Sequence, residues 1–178
     1  MSDNNKKMTN NQKLSNSEEI TNISLIIGKF INLSSEIEHN INFIIAAHFF
    51  KNDAVFELNE FVLSELSLRS KCQIMINILR KRYPDIYKKY KDLISLDEMR
   101  ANRNKFAHNT FYYFESKTGK KDYSKLQMNK SQDFKPAKDV MSLKEYEKVF
   151  KKSVEQLRIT TNILSDIYSF NEEKLSRQ

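Results

Sequence analysis

Glycine, proline, cysteine and histidine are scarce in this 178-residue chain, which holds 2 Gly, 2 Pro, 1 Cys and 3 His and has no tryptophan. Each scarcity removes a class of chemistry. A phosphate-cradling loop needs glycines where the backbone bends sharply or approaches its ligand, and Gly28 and Gly119 stand far apart, which excludes a P-loop and a dinucleotide fingerprint. Cys72 alone permits no intrachain disulfide and no thiolate-rich zinc site. His39, His48 and His108 are dispersed, so neither a metal nor a cofactor is expected. Long apolar runs are missing too. The longest, 43–50, is interrupted by His48, and the N-terminal stretch has no apolar core for a signal peptide, so the expectation is a cytoplasmic protein without a membrane association.

What remains is 39% apolar and 30% charged, enough to bury one core and keep the rest in water. With so little Gly and Pro to punctuate turns, and with Leu, Ile, Lys and Glu abundant, the composition predicts helices. Residues 1–16 hold little to bury and read as a disordered tail. From Ser17, Ile20, Ile23, Ile27, Phe30, Ile31, Ile37, Ile41, Ile44, Ile45 and Phe49 recur at mostly three- and four-residue intervals, which describes one long amphipathic helix. After a connector over 55–66, Ser67 is an N-cap for a second helix with Cys72, Met75, Ile76 and Leu79 on its apolar stripe. Pro84 closes it and opens a short helix through Ile86, Tyr87 and Tyr90.

Ser95-Leu-Asp-Glu98 and Ser142-Leu-Lys-Glu145 both have capping-box spacing. They predict a third main helix ending near His108 and a last long one lined by Leu143, Tyr146, Val149, Phe150, Val154, Leu157, Leu164 and Ile167. Between them Thr110-Phe-Tyr-Tyr-Phe-Glu115 is rich in β-formers and Ser116-Lys-Thr-Gly119 signals a turn, which predicts a small hairpin or an irregular projection. The expected fold is all-α, an up-and-down four-helix bundle over 17–172 with a basic insertion at 110–140.

The charge is localised. Of the net +7, the whole excess lies between Arg100 and Lys138, where ten bases face three acids, and the remaining twenty bases and twenty acids balance. Interleaved with Phe111, Tyr112, Tyr113, Phe114 and Tyr123, these bases have the composition of a single-strand nucleic-acid surface, with Arg100, Lys105, Lys117, Lys120 and Lys121 as candidate RNA contacts. The plainer alternative is a solvated lysine-rich loop whose aromatics pack back on the bundle.

On a helical wheel Leu96, Met99, Phe106 and Ala107 fall within about 60° of Arg103, which puts a guanidinium on the core-facing stripe. Burying it unpaired costs several kcal/mol, so an anion is expected to face it. Glu38, within the apolar arc of the first helix, is the candidate partner for Arg103 or for His108. Asn104 and His108 are four apart and share a face. A structural alternative stands beside this one: His108 capping carbonyls in the last turn and Arg103 held by a core carboxylate. His48 reads as a packed histidine and Cys72 as a buried, inert thiol.

Arg103-Asn104-Lys-Phe-Ala-His108 resembles the signature of the HEPN superfamily, an Arg followed after four residues by His with a polar residue behind the Arg. Phe30-Ile-Asn-Leu-Ser-Ser35-Glu-Ile-Glu38 is similar to the aromatic, small-polar and Glu pattern of the first HEPN helix. The resemblance implies a metal-independent endoribonuclease of the toxin or anti-phage effector kind, with RNA as substrate, a homodimer, and an antitoxin or regulatory protein as a further class of partner. Its chemistry is coherent: the 2′-hydroxyl attacks the phosphate, His108 transfers protons, Arg103 stabilises the phosphorane, and Asn104 orients the imidazole or the substrate. One histidine per chain is short of the base and the acid required, and a two-fold dimer joining two motifs supplies both. The alternative is a non-catalytic HEPN-like module that dimerises and binds RNA or protein.

Overall fold

A computed structural model describes residues 10–49, 55–115, 121–130 and 136–176; the side chains of residues 10–17, 19–20, 55–56, 59–60, 108–140 and 174–175 stand outside that description. The chain is mostly helical. Helix α1 (Asn10–Phe49) is followed by α2 (Val55–Leu58), which runs into a π-helical turn over Asn59–Leu63. Then come α3 (Leu68–Arg82), α4 (Pro84–Tyr90), α5 (Leu96–His108), strands β1 (Asn109–Glu115), β2 (Lys121–Lys130) and β3 (Pro136–Ser142), and α6 (Leu143–Ser176).

Helix α1 begins at Asn10, seven residues before Ser17 where the apolar periodicity starts. Once the packed part of a helix is nucleated, each further residue adds one hydrogen bond for one fixed pair of dihedrals, so a helix can run on beyond the residues that apolar periodicity marks. The other boundaries follow local chemistry. The Ser67 hydroxyl accepts from the Ser70 N–H at 3.2 Å and caps α3, and Pro84 stands at the first position of α4. At α6 the Glu145 carboxylate accepts from the Ser142 N–H at 2.6 Å and from its hydroxyl at 2.9 Å. Those bonds hold the Glu145 pKa below the usual carboxylate range.

The capping box expected at Ser95 is replaced by a tertiary contact. The Ser95 N–H donates to Gln156 Oε1 at 2.8 Å, while Gln156 Nε2 donates to the Leu93 carbonyl at 2.9 Å. Glu98 instead meets Lys152 Nζ at 2.8 and 3.0 Å. Helix α6 thus satisfies the start of α5 with a buried amide, and the local carboxylate is free to turn outward.

The core is one cluster. It runs through Ile23, Phe30, Ile37, Ile41, Ile44 and Ile45 of α1, Met75, Ile78 and Leu79 of α3, Leu96, Met99 and Phe106 of α5, and Tyr146, Ile159, Ile163 and Ile167 of α6. Its contacts also fix helix direction. Phe30 meets Phe106 edge-on at 4.9 Å, and Phe106 lies 5.4 Å from Tyr146. Farther along, Asn40 donates to Thr160 and Thr161, and His48 meets Tyr83, which meets Phe170. Helices α1, α3 and α6 therefore run the same way and α5 runs against them, so the strict up-and-down alternation expected from the sequence is not the arrangement. The segment from α2 to Ser67 carries the chain back to the level of Glu38 before α3 begins, which periodicity cannot foresee.

The insertion after α5 is a three-stranded antiparallel sheet in the order β1-β2-β3, one strand more than the hairpin expected. Asn109 pairs with Lys130 and Tyr113 with Leu126, a register shift follows at Tyr113 and Phe114, and Leu126 pairs onward with Met141. The third strand returns the chain to α6. Among the described residues no helix is long and apolar enough to cross a membrane.

Candidate active site

Helix α5 carries the motif. Leu96, Met99 and Phe106 are buried, Arg103 between them is half-buried, and Ala107, expected on the same stripe, is exposed. The buried arc is therefore narrower than the wheel suggested, and Arg103 lies at its margin, where its stem packs and its guanidinium reaches water.

No carboxylate pairs with Arg103 among the described residues. Its hydrogen bond runs from Nη1 to Asn104 Oδ1 at 3.4 Å, a long contact with its own neighbour. Asn104 is exposed and its side-chain oxygen is turned to Arg103. His108 closes α5 and is followed at once by β1; its side chain stands outside the described set.

The partner expected for Arg103 is engaged elsewhere. Glu38 accepts from Lys71 Nζ at 2.5 Å, and Lys71, at the start of α3, is buried to a side-chain exposure of 4% against 26% for Glu38. An ammonium that deep needs a counter-charge, and α3 begins at the level of Glu38, so the lysine takes the carboxylate first. Lys71 was not singled out in the sequence. Its signal was present, because Lys71, Met75, Ile78 and Leu79 fall at helical spacing and put a lysine on an apolar stripe.

Arg100, one turn before Arg103, donates from Nη2 to Asp97 at 3.4 Å, and its buried Nε has no hydrogen-bond partner. At this spacing two guanidiniums with donors to spare stand on one side of α5. Lys105 is half-buried, with Nζ 3.9 Å from Met141 Sδ at the seam between α5 and β3. Lys117 and Lys120 lie outside the described residues, and Lys121 opens β2 with its side chain outside the described set.

Neighbouring groups are quiet. Burial pushes the Cys72 thiol up to about 11, with Asp97 adding to it and Arg100 opposing, which matches an inert buried thiol. His48 packs edge-on against Phe49 and Tyr83, and burial, then the Arg82 charge, lowers its pKa. Among the described residues no group of three or more His, Cys, Asp or Glu could hold a metal ion.

A cleft of about 180 Å³ lies between α5 and α6, lined by Ser95, Met99, Asn102, Val149 and Gln156 under the Glu98 and Lys152 pair. It holds no candidate catalytic group, and the Gln156 amide is already committed to backbone atoms. What α5 presents is positive charge, with the Arg103 guanidinium unpaired by any carboxylate among the described residues, on a helix whose last residue is a histidine. No family model, no curated protein and no solved structure matches the chain.

Proposed function

We propose that the chain is a HEPN-like, metal-independent endoribonuclease that cleaves single-stranded or loop RNA through attack of the 2′-hydroxyl, with a composite active site at a homodimer interface. One observation carries this reading. Arg103 is half-buried with no carboxylate partner among the described residues, one turn from Arg100, on the helix that ends at His108 and opens into the insertion holding the net positive charge.

In this reading Arg103 and Arg100 donate to the non-bridging oxygens of the phosphorane. His108 of one chain takes the 2′-hydroxyl proton and its dimer mate gives a proton to the departing 5′-oxygen, leaving a 2′,3′-cyclic phosphate. The four-helix core of α1, α3, α5 and α6 is the HEPN-like frame, and a toxin or anti-phage effector held by an antitoxin is the biological setting that fits it.

The test is incubation with mixed cellular RNA in EDTA. Wild type is expected to cleave, Arg103→Ala and His108→Ala are expected to lose cleavage, and excess His108→Ala chain mixed with wild type is expected to suppress cleavage, because a heterodimer keeps only one of the two histidines. Cleavage that survives both substitutions, or that requires added magnesium, overturns the proposal. Salt-dependent RNA binding without cleavage would favour the non-catalytic RNA-binding module.

A further inference from the structure

The second concentration of positive charge is hidden in the overall balance. Over residues 80–91, where α3 turns into α4, six bases (Arg80, Lys81, Arg82, Lys88, Lys89 and Lys91) face one acid, Asp85, and all six bases are exposed. Only Lys89 is neutralised, by Asp166 at 2.7 Å; Lys81, Arg82, Lys88 and Lys91 have no ion pair among the described residues. Like charges held this close repel, and the fold keeps them together on a stiff elbow. Tyr83 ends α3, Pro84 starts α4, and the Tyr87 N–H donates to the Tyr83 carbonyl at 2.8 Å. The Arg80 guanidinium lies 5.3 Å over the Tyr87 ring and donates to its hydroxyl at 3.2 Å.

We propose that this elbow is a second RNA-binding surface, which holds the phosphodiester backbone at the end of the bundle remote from His108; it rests on the RNA reading above. The ligand it fits is a polyanion with regularly spaced charge, because the cations are spread over two helices and do not converge on one point. A guanidinium held by the tyrosine ring and hydroxyl keeps further N–H donors for phosphate and loses little freedom on binding. Nucleic acid suits this better than an acidic peptide, whose carboxylates lie on flexible stems that must be ordered.

The tip of the elbow at Tyr83 and the motif are at opposite ends, and α4 leads back from that tip along α6 through the Lys89–Asp166 pair. Phe106, two residues before His108, packs at Phe30 of α1, and Tyr83 packs at His48. Eighteen residues of α1 separate those levels, about 27 Å at 1.5 Å per residue. A stacked strand with about 3.4 Å between charges spans that in about eight nucleotides. The elbow then acts as a remote anchor that raises the effective concentration of a longer RNA at the motif.

The test uses the full chain carrying His108→Ala, so that RNA survives, and measures binding of a labelled, unstructured 16-nucleotide RNA by fluorescence anisotropy over a salt series. Lys81→Gln, Lys88→Gln and Lys91→Gln are then added together; all three are exposed, and unchanged helical circular dichroism checks the fold. Three lost phosphate contacts reduce the slope of log affinity against log salt by about 2, and affinity in about 0.1 M salt falls roughly tenfold or more. A 6-nucleotide RNA, too short to bridge the two ends, shows a much smaller difference between the two chains. An unchanged slope overturns the inference and leaves the cleavage proposal standing. A reduced slope in a chain whose wild type never cleaves RNA overturns the cleavage proposal and leaves this one standing. Polyglutamate that displaces the RNA at lower charge concentration overturns it in favour of an acidic protein surface.

Discussion

Lys71 on α3 and Arg103 on α5 are both cations on the inward side of their helices, and the fold treats them differently. Lys71 is fully enclosed and receives the Glu38 carboxylate, whereas Arg103 stops at the margin of the core with no carboxylate among the described residues. The first is a charge the fold had to neutralise in order to close. The second can stay uncompensated because water reaches its head, and a phosphate oxygen can replace that water. A buried pair contributes to structure, and a half-buried arginine with no carboxylate among the described residues keeps donors that an anion can take.

The largest expected effect separates the two cations by activity. Arg103→Ala and His108→Ala lower the rate of RNA cleavage by roughly 10²- to 10⁴-fold, read by single-turnover cleavage of a labelled RNA, while the urea midpoint of Arg103→Ala stays near that of wild type. If Arg103→Ala instead unfolds the chain, the arginine is a core element and the contrast with Lys71 disappears. The converse substitution, Lys71→Ala, leaves Glu38 without its partner and costs about 2–3 kcal/mol, below the full cost of a broken buried pair because Glu38 is partly exposed. Replacing both, Lys71→Met with Glu38→Leu, brings the urea midpoint back towards wild type.

Gln156 is an uncharged counterpart of Lys71, a polar group enclosed because it satisfies another element. Gln156→Ala leaves the Ser95 N–H and the Leu93 carbonyl without their partner, and about 1–2 kcal/mol is expected from chemical denaturation. The effect confined to the narrowest conditions, alkaline pH, concerns Cys72, beside Lys71 in sequence. Its folded pKa of about 11 lies above the unfolded value near 9, so the unfolded chain releases the thiol proton first. The stability that the neutral buried thiol provides is whole below about pH 9 and declines from there to about pH 11. Comparing wild type with Cys72→Ala across that window isolates this contribution from the lysines and tyrosines, and parallel curves for the two chains would show that the thiol is not enclosed.

Much of the fold was legible because it rests on local signals. The Ser67 cap, the Pro84 break and the Ser142 box involve atoms within a few residues of one another, and the three- and four-residue recurrence of isoleucine along α1 records a single buried face. The motif was placed to the same depth: Arg103, Asn104 and His108 all lie on α5, as the third helix expected from the sequence required. Less legible was everything that depends on what lies opposite. Glu38 stands on the correct face of α1, yet its partner is decided by the level at which α3 starts. Glu98 has capping-box spacing, yet α6 supplies a better acceptor to Ser95 and a lysine to Glu98.

The sequence by itself determined where helices begin and turn, which faces are apolar, that the net charge gathers around the end of α5, and that neither glycine-loop nor thiolate chemistry has residues to work with. Only the tertiary structure decided that α1, α3 and α6 run the same way, that Lys71 rather than Arg103 takes Glu38, and that the insertion is a sheet of three strands. The physical reason is range. Periodicity and capping are settled over one or two turns of backbone, whereas the partner of a charge and the direction of a helix depend on contacts between segments far apart in the chain.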